Sequence, residues 1–294
     1  MDQATQLRNI IKSTTVQPRS VARVITVTSG KGGVGKSSIS VNLAIQLRKL
    51  GKRVVIMDAD FGLANIEVML GIRPQYNLAD LIFKGRNLRD IITSGPEGIG
   101  FISGGSGIQE LTNLTKDQLI KLSQSLYELD QYVDVIIIDT GAGIADSVLE
   151  FVAASNEVLL VVTPEPTSIT DAYALLKTLN KKTDFLAENT LIKMIANRVG
   201  SPTEGKEIFD KLNVVVNKFL NIKVEFLGTI PQDNTISRAV IQQNPVTLGY
   251  PNAPSSKAIT ELAMMLNNNT VIDQQSKKGI STLFSNLIRA KRSK

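Results

Sequence analysis

The chain contains no cysteine and no histidine among its 294 residues. Without cysteine it can have no disulfide, no thiol nucleophile and no iron–sulfur cluster held by thiolates. Without histidine it can have no imidazole general base and no zinc site that uses imidazole ligands. Any catalysis must therefore use carboxylates, lysines, hydroxyls and a bound metal ion.

Export and membrane-spanning signals are missing from the sequence as well. The N-terminus lacks the basic and then apolar pattern of a secretory signal. No apolar run approaches the ~20 residues that a membrane span requires. We therefore expect a cytoplasmic protein.

The net charge of +6 is concentrated at the C-terminal end. Residues 277–294 include six basic residues and no acidic residue, so the two signs balance in the rest of the chain. This distribution does not support a domain that coats nucleic acid, and we do not expect a nucleic-acid partner.

Apolar runs rich in β-branched residues alternate along the chain with stretches of helical pattern. Several runs are almost continuously apolar, which is typical of strands buried on both faces of a parallel sheet. The repeated strand-then-helix order predicts an α/β fold with a doubly wound, mostly parallel sheet and helices on both faces. The predicted strands are Val24–Thr28, Val54–Met57, Val133–Ile138, Val158–Thr163, Leu191–Ala196 and Val224–Ile230. The predicted helices are Ser37–Lys49, Thr115–Leu129, Asp146–Ala154, Thr167–Leu179, Thr203–Phe219 and Ser255–Leu266.

A phosphate-binding pattern, G-x-x-x-x-G-K-[ST], lies between the first predicted strand and the first predicted helix. Its glycines let backbone N–H groups converge on phosphate oxygens, and the helix N-terminus adds its positive end. We expect Lys36 to reach the β- and γ-phosphates and the Ser37 hydroxyl to ligate magnesium. ATP and Mg²⁺ are therefore the predicted cofactors. The predicted nucleotide-binding residues of this loop are Gly30, Lys31, Gly32, Gly33, Val34, Gly35, Lys36, Ser37 and Ser38.

Carboxylates follow two of the predicted strands. Asp58 and Asp60 come after the second strand, and Asp139 comes after the third. Ligands bind at the carboxyl ends of the strands in an open α/β sheet, so these three side chains are expected to meet the phosphates. A single aspartate at a strand end is common, but three of them downstream of a P-loop indicate a site for phosphoryl transfer.

The second lysine of the loop, Lys31, makes the segment resemble the deviant Walker A box of the MinD/ParA family. The resemblance implies that Lys31 crosses a dimer interface and contacts the partner's nucleotide, which makes dimerisation depend on ATP. It also implies that Asp60 orients the attacking water, so that Lys31, Lys36 and Asp60 form the catalytic set.

The same resemblance assigns the metal and the switch. Ser37, Asp58 and Asp139 would form the magnesium shell, with Asp139 as the Walker B carboxylate. Asp60 with Gly141 and Gly143 would form the switch that senses the γ-phosphate.

Two further segments resemble the adenine-contacting loops of the family. They contain Asn197 and Arg198 after one strand, and Pro231 and Asp233 after another. The alternative is that these residues only form turns.

Within the family, the chain resembles the flagellar branch of MinD-like ATPases, often called FlhG or FleN. Segments 58–65, 103–108, 139–144 and 163–167 carry this resemblance. It implies a slow, dimer-dependent ATPase that sets the placement or number of flagella. The implied partners are an SRP-type GTPase, FlhF, and the flagellar switch-ring (C-ring) proteins. The alternatives are a ParA-like ATPase on DNA and a MinD-like ATPase at the division site.

The N-terminal extension, residues 1–20, begins with a D-Q-A-x-x-L-R pattern that resembles the start of FlhG proteins. In that branch the segment engages FlhF and stimulates its GTPase. The segment is too short to form a stable helix alone but could fold against a partner. The alternative is a frayed terminus. The predicted partner-binding residues are Asp2, Gln3, Ala4, Leu7 and Arg8.

The C-terminal part, residues 269–294, reads as a polar linker followed by an amphipathic helix, after a P-loop ATPase domain at 21–268. Lys278, Arg289 and Arg292 lie on the face opposite the apolar stripe. The pattern is typical of a helix that binds an anionic membrane surface, here reversibly at the inner face of the cell membrane. The alternative is a terminal helix packed on the domain. The predicted membrane-binding residues are Ile280, Leu283, Phe284, Leu287 and Ile288.

Overall fold

The computed structural model describes residues 21–60, 65–105, 115–183, 185–268 and 279–292. The predicted partner-binding segment at residues 2–8 and the predicted linker at 269–278 lie outside these residues. Their assignments therefore stay predictions. Among the helices of the described part, none combines the length and apolar content that crossing a bilayer requires.

Strands and helices alternate over most of the described chain. The strands are β1 Arg23–Ser29, β2 Val54–Ala59, β3 Thr93–Ser94, β4 Gly100–Ser103, β5 Val135–Ala142, β6 Glu157–Val162, β7 Leu191–Val199 and β8 Val224–Pro231. The helices are α1 Lys36–Lys49, α2 Asn65–Leu70, α3 Leu78–Phe83, α4 Leu88–Ile91, α5 Lys116–Tyr132, α6 Asp146–Ala154, α7 Pro166–Asn180, α8 Pro202–Phe219, α9 Asn234–Ile241, α10 Val246–Gly249, α11 Pro254–Asn268 and α12 Ile280–Arg292.

The strands form one sheet in the order β3-β4-β2-β5-β1-β6-β7-β8. All neighbouring strands run parallel except β3 and β4, which pair antiparallel at one edge. The chain thus starts in the middle of the sheet and extends it in both directions. The predicted α/β fold with a doubly wound, mostly parallel sheet is confirmed.

The sheet is covered on both faces because its central strands alternate between two apolar clusters. In β5, Val135 and Ile137 belong to the cluster beneath α1 and α11, whereas Ile136 and Ile138 belong to the cluster beneath α5 and α12. Successive side chains of a strand point to opposite faces, so an unbroken apolar run fills both clusters. This burial explains why the strands were readable from composition alone.

The predicted strands and helices are all present, with ends that differ by a few residues. We expected Asp58 and Asp139 to follow their strands, and this was wrong. Both lie inside β2 and β5, which end a few residues later than predicted. The sequence did not predict β3, β4 and the short helices α2–α4, α9 and α10. These elements are too short to show a hydrophobic period.

The C-terminal helix forms as predicted, and in this structure its apolar stripe packs on the domain. Ile280, Leu283, Phe284 and Leu287 are buried, and Ile288 is partly buried, in the cluster shared with α5 and α6. The ring of Phe284 meets Phe151 of α6 edge to face, with 6.2 Å between centroids. The packed arrangement, the alternative to membrane binding, is therefore the one observed.

Candidate nucleotide and phosphate site

The loop between β1 and α1 has the backbone that a phosphate cradle needs. Gly33 and Gly35 adopt φ values of 75° and 96°, in the left-handed region that favours glycine. A Cβ at Gly30 would lie 2.1 Å from the backbone of Asp171 in α7, so only glycine fits there. The glycines therefore let the loop curl tightly at the N-terminus of α1, where anions are stabilised.

Lys36, the first residue of α1, lies almost buried among carboxylates. Burial lowers the pKa of its ammonium group, while the charges of Asp139 and Asp60 raise it. A cation held in this way has few waters to lose when a phosphate binds. The phosphate-binding role of Lys36 stays a prediction.

The two carboxylates predicted for the metal shell stand side by side on neighbouring strands. Asp58 of β2 and Asp139 of β5 are register partners, and both are buried. Burial raises the pKa of Asp58 to about 8, although a hydrogen bond from the Asp60 backbone N–H lowers it and nearby carboxylates raise it further. Burial also raises the pKa of Asp139, against hydrogen bonds from Ser37 and Ser40.

These residues fit a magnesium ion. Magnesium prefers oxygen ligands and is usually held by one or two carboxylates together with substrate phosphates and waters. Within the described residues, no three Asp, Glu, His or Cys side chains form a metal cage by themselves. Ser37 and Asp139 would hold the ion, with Asp58 beside them, and a bound cation would favour the charged carboxylates.

The switch residues lie together at the end of β5. An ideal Cβ at Gly141 would lie 3.6 Å from an Asp60 carboxylate oxygen. The Gly143 N–H donates to the Ser29 carbonyl at 2.9 Å, next to the phosphate loop. Helix α6 begins only three residues after Gly143. A change at the γ-phosphate position thus has a short covalent route to α6.

Lys31 contacts its own chain in this structure. Its ammonium group donates to the Glu165 carboxylate and to the Thr167 hydroxyl, at 2.8 Å for the latter. Both lie at the N-terminus of α7, and the lysine and glutamate side chains are partly exposed. An exposed pair of this kind contributes little to stability. Lys31 is thus free to exchange this contact for another anion at little cost.

The predicted adenine loops border a cavity of about 210 Å³ next to the phosphate loop. Asn197 and Arg198 of β7 line it together with Gly35, Ser38 and Asp233. Asn197 donates to the Val34 carbonyl at 2.7 Å, and its buried Oδ1 has no partner among the described residues. A buried acceptor without a donor is costly, and an exocyclic amino group of a base is a suitable partner. Pro231 ends β8 and is not part of the lining.

Asp233 joins two helices at the edge of this cavity. Its carboxylate accepts hydrogen bonds from the backbone N–H and hydroxyl groups of Thr235 in α9 and Ser255 in α11. Partial burial alone would raise the pKa of Asp233, but these bonds outweigh it and lower the pKa to about 2. The Asp233 side chain forms part of the cavity wall. Its carboxylate is already engaged by two helices, so it is not a free group for binding the base.

The sequence analysis missed several residues of the site. Ser40 donates to the Asp139 carboxylate at 2.7 Å, and Glu165 holds Lys31. Ile39 of α1 and Ile259 of α11 complete the cavity beside Gln232. Only Ser40 had a readable signal, because it follows Ser37 by three residues and so lies on the same helix face.

Comparisons with known proteins show the family to which the chain belongs. A family model of ParA, described as NUBPL iron-transfer P-loop NTPase, matches residues 20–267. The chain is 44% identical over 246 residues to the antiactivator FleN of Pseudomonas aeruginosa, covering 84% of this chain and 86% of that protein. It is 34% identical over 279 residues to the flagellum site-determining protein YlxH of Helicobacter pylori, covering 91% and 90%.

A solved structure shows the same fold. The MinC:MinD cell division protein complex of Aquifex aeolicus matches with a TM-score of 0.66 and 26% identity, over 85% of this chain and 98% of that one.

Proposed function

Because the chain belongs to the MinD/ParA family of P-loop ATPases, in the branch that includes FleN, we propose that it controls the placement or number of flagella as an ATP-dependent homodimer. ATP hydrolysis is the activity of the family. The proposal adds a cycle in which the ATP dimer binds the membrane and hydrolysis releases it.

The chemical step rests on groups of this chain that bind phosphate and orient water. Backbone N–H groups of the loop and Lys36 stabilise charge on the phosphoryl group being transferred. Asp60, next to Gly141, orients the attacking water. A bound Mg²⁺ would neutralise phosphate charge. Asn197 Oδ1 is the acceptor that we assign to the adenine amino group.

The dimer step rests on Lys31. Its exposed contact with Glu165 and Thr167 is weak enough to be exchanged for a phosphate of the partner's nucleotide. Light scattering of the Asp60→Ala protein should show a monomer with ADP and a dimer with ATP. Lys31→Ala in that background should stay monomeric in both. A dimer of constant size in either nucleotide would contradict the model.

The observation that carries the membrane step is the position of α12. Its apolar stripe is buried on α5 and α6, and α6 starts beside the switch glycines. Release of α12 would expose apolar side chains that each gain roughly 1.5–3 kcal/mol when buried again. One such helix binds a bilayer only marginally, but two in one dimer gain through effective concentration.

Liposome co-sedimentation of the Asp60→Ala protein tests this step. We expect sedimentation with anionic liposomes in ATP and little in ADP, and none for a chain ending at Asn268 in either nucleotide. Equal sedimentation in both nucleotides would refute the switch. A dimer that never sediments would instead favour a ParA-like role on DNA.

The partner step rests on the N-terminal resemblance. A peptide of residues 1–20 should raise GTP hydrolysis by an FlhF-like GTPase, and a peptide with Leu7→Asp and Arg8→Asp should not. Unchanged hydrolysis at saturating peptide would remove this role. Binding to switch-ring proteins is a further part of the proposal, and a pull-down with purified C-ring components tests it.

A further inference from the structure

Ser40 lies at the phosphate site but has no role in the chemical step described above. It lies one turn beyond Ser37 on α1 and is fully buried. Its Oγ lies 2.7 Å from Asp139 Oδ1 and 3.1 Å from the Lys36 carbonyl oxygen. A hydroxyl has a single proton, and a bond to a carboxylate is the shorter and stronger of these two. The proton therefore belongs to the bond with Asp139.

Asp139 needs such a partner because its strand leaves it deeply buried. It stands on central strand β5 between β1 and β2, with only 1% of its surface exposed. Ser37 also bonds its carboxylate, but the Ser37 hydroxyl is the group assigned to the metal. Ser40 is thus the donor that keeps the carboxylate in place independently of the metal ligand.

We propose that Ser40 is a positioning residue, which fixes the Asp139 carboxylate for the magnesium ion of MgATP. The inference rests on the ATPase activity of the family and not on the flagellar role. Partners of this kind, which orient a metal-binding group, typically change metal affinity by about 10- to 100-fold when removed. They leave binding of the metal-free nucleotide largely unaffected.

The test measures Mn²⁺ affinity in the presence of ATP by paramagnetic relaxation, and metal-free ATP affinity by fluorescence of a labelled analogue. Ser40→Ala should weaken Mn²⁺ binding by about 10- to 100-fold and change metal-free ATP affinity less than about twofold. Ser40→Thr should retain Mn²⁺ affinity. Ser155→Ala is the matched control, because Ser155 is another buried serine whose hydroxyl lies close to the carbonyl four residues back but far from the phosphate site.

Two results would overturn the proposal. The first is wild-type Mn²⁺ affinity in Ser40→Ala. The second is an equal loss of Mn²⁺ and metal-free ATP binding, which would make Ser40 a structural residue. If Ser40→Ala does not fold, Ser40→Cys keeps the volume with a weaker donor, and wild-type Mn²⁺ affinity there would overturn the proposal as well.

A second, independent observation concerns the start of α12. The Asp130 carboxylate on α5 accepts hydrogen bonds from the backbone N–H groups of Ile280 and Ser281, at 2.9 and 3.3 Å, and from the Ser281 hydroxyl at 2.8 Å. The first N–H groups of a helix have no partner within the helix. Here the cap comes from another element 150 residues away.

Gly279 makes this distant cap possible. A Cβ at this residue would lie 2.2 Å from an Asp130 oxygen, so no side chain fits between the helix start and α5. The residue that would normally cap the helix through its own side chain has none. We infer that Asp130 is a latch, which holds α12 in its groove through the first turn of the helix.

The latch deepens the proposed membrane switch, and its test uses no lipid, so the two can fail separately. Hydrogen exchange of the amides of residues 281–288 is measured for the ADP-bound protein in solution. Asp130→Ala should raise their exchange rate about tenfold, as the loss of a helix cap does. Gly279→Ala should have the same effect because its methyl group displaces the carboxylate.

Glu128→Ala is the matched control, since it removes an exposed carboxylate from the same helix and should leave exchange unchanged. Wild-type exchange in both Asp130→Ala and Gly279→Ala would overturn the latch. Faster exchange throughout the domain in Asp130→Ala would also overturn it, because the residue would then stabilise α5 and not the docking of α12.

Discussion

The phosphate site and the groove of α12 each centre on a buried aspartate, but the two regions use it differently. Asp139 lies among Asp58, Asp60 and Lys36, and its hydrogen bonds come from hydroxyl groups of α1. Asp130 accepts hydrogen bonds from the start of α12, and the helix lies on an apolar cluster. Burial raises the pKa of both carboxyl groups.

The two regions are suited to different binding partners. Buried carboxylates that carry a charge need a cation to balance them, so the phosphate site favours a metal ion from outside the chain. The groove is satisfied by a helix of the same chain. The hydrogen bonds of Asp130 hold the first turn of that helix in place. Helix α6 connects the two regions, because it begins three residues after Gly143 and its Phe151 packs against Phe284 of α12.

The largest effect is expected when the positive charge of Lys36 is removed from the phosphate site. Lys36→Ala should lower ATP affinity by more than about 30-fold, since losing one partner among buried charges costs about 2–5 kcal/mol. Asp60→Ala should keep ATP binding and lower hydrolysis by about 10²- to 10⁴-fold, as removal of a group that activates water does. Titration calorimetry and phosphate release measure the two effects. Normal hydrolysis in Asp60→Ala would show that the role assigned to Asp60 is wrong.

The second prediction concerns a substitution that weakens the packing of α12 in its groove and leaves the phosphate site intact. Phe284→Ala should weaken docking of α12 by about 3–5 kcal/mol, because it leaves a cavity against Phe151. Limited proteolysis of the ADP-bound protein should then cut the helix faster, with ATP affinity unchanged. Ser285→Ala, on the exposed side of the helix, is the control. Equal protection of Phe284→Ala and wild type would contradict the packed arrangement.

The third prediction concerns Asp233. Like Asp130 it caps a helix, but its pKa is lowered, whereas the pKa of Asp130 is raised. Its pKa is lowered to about 2 from a usual value of 3.8, so its stabilisation is complete above about pH 4 and is lost as pH falls through about 2. After discounting for solvent screening, we expect a contribution on the order of 1–2 kcal/mol. Urea unfolding of wild type and Asp233→Asn at pH 6 and pH 2.5 measures it. A gap between the two proteins that does not shrink at the lower pH would contradict this assignment.

The smallest effect is expected for Lys31 in the monomer. Its pair with Glu165 is partly exposed, so Lys31→Ala should change the free energy of unfolding of the monomer by less than about 1 kcal/mol. Chemical denaturation in ADP measures this change. A loss of several kcal/mol would mean that Lys31 is a structural residue of the phosphate loop, and its proposed role in the dimer would lose its support.

Part of the site could be predicted from the sequence because its residues lie in short local patterns. The glycines, Lys36 and Ser37 follow one another, and Asp58, Asp60 and Asp139 end apolar runs. The contacts that tune them join distant parts of the chain. Ser40 reaches Asp139 across 99 residues, and Asn197 reaches Val34 across 163. Such pairs leave no spacing that a single sequence could reveal.

The parallel sheet, the phosphate loop and the amphipathic character of the last helix could all be predicted from the amino-acid sequence. These properties follow from local composition and period, because burial on both faces and the needs of a phosphate act on neighbouring residues. Only the tertiary structure decided where the apolar face of α12 goes. The same stripe suits a bilayer or a groove, and the groove exists only where α5 and α6 bring Asp130, Leu126 and Phe151 together.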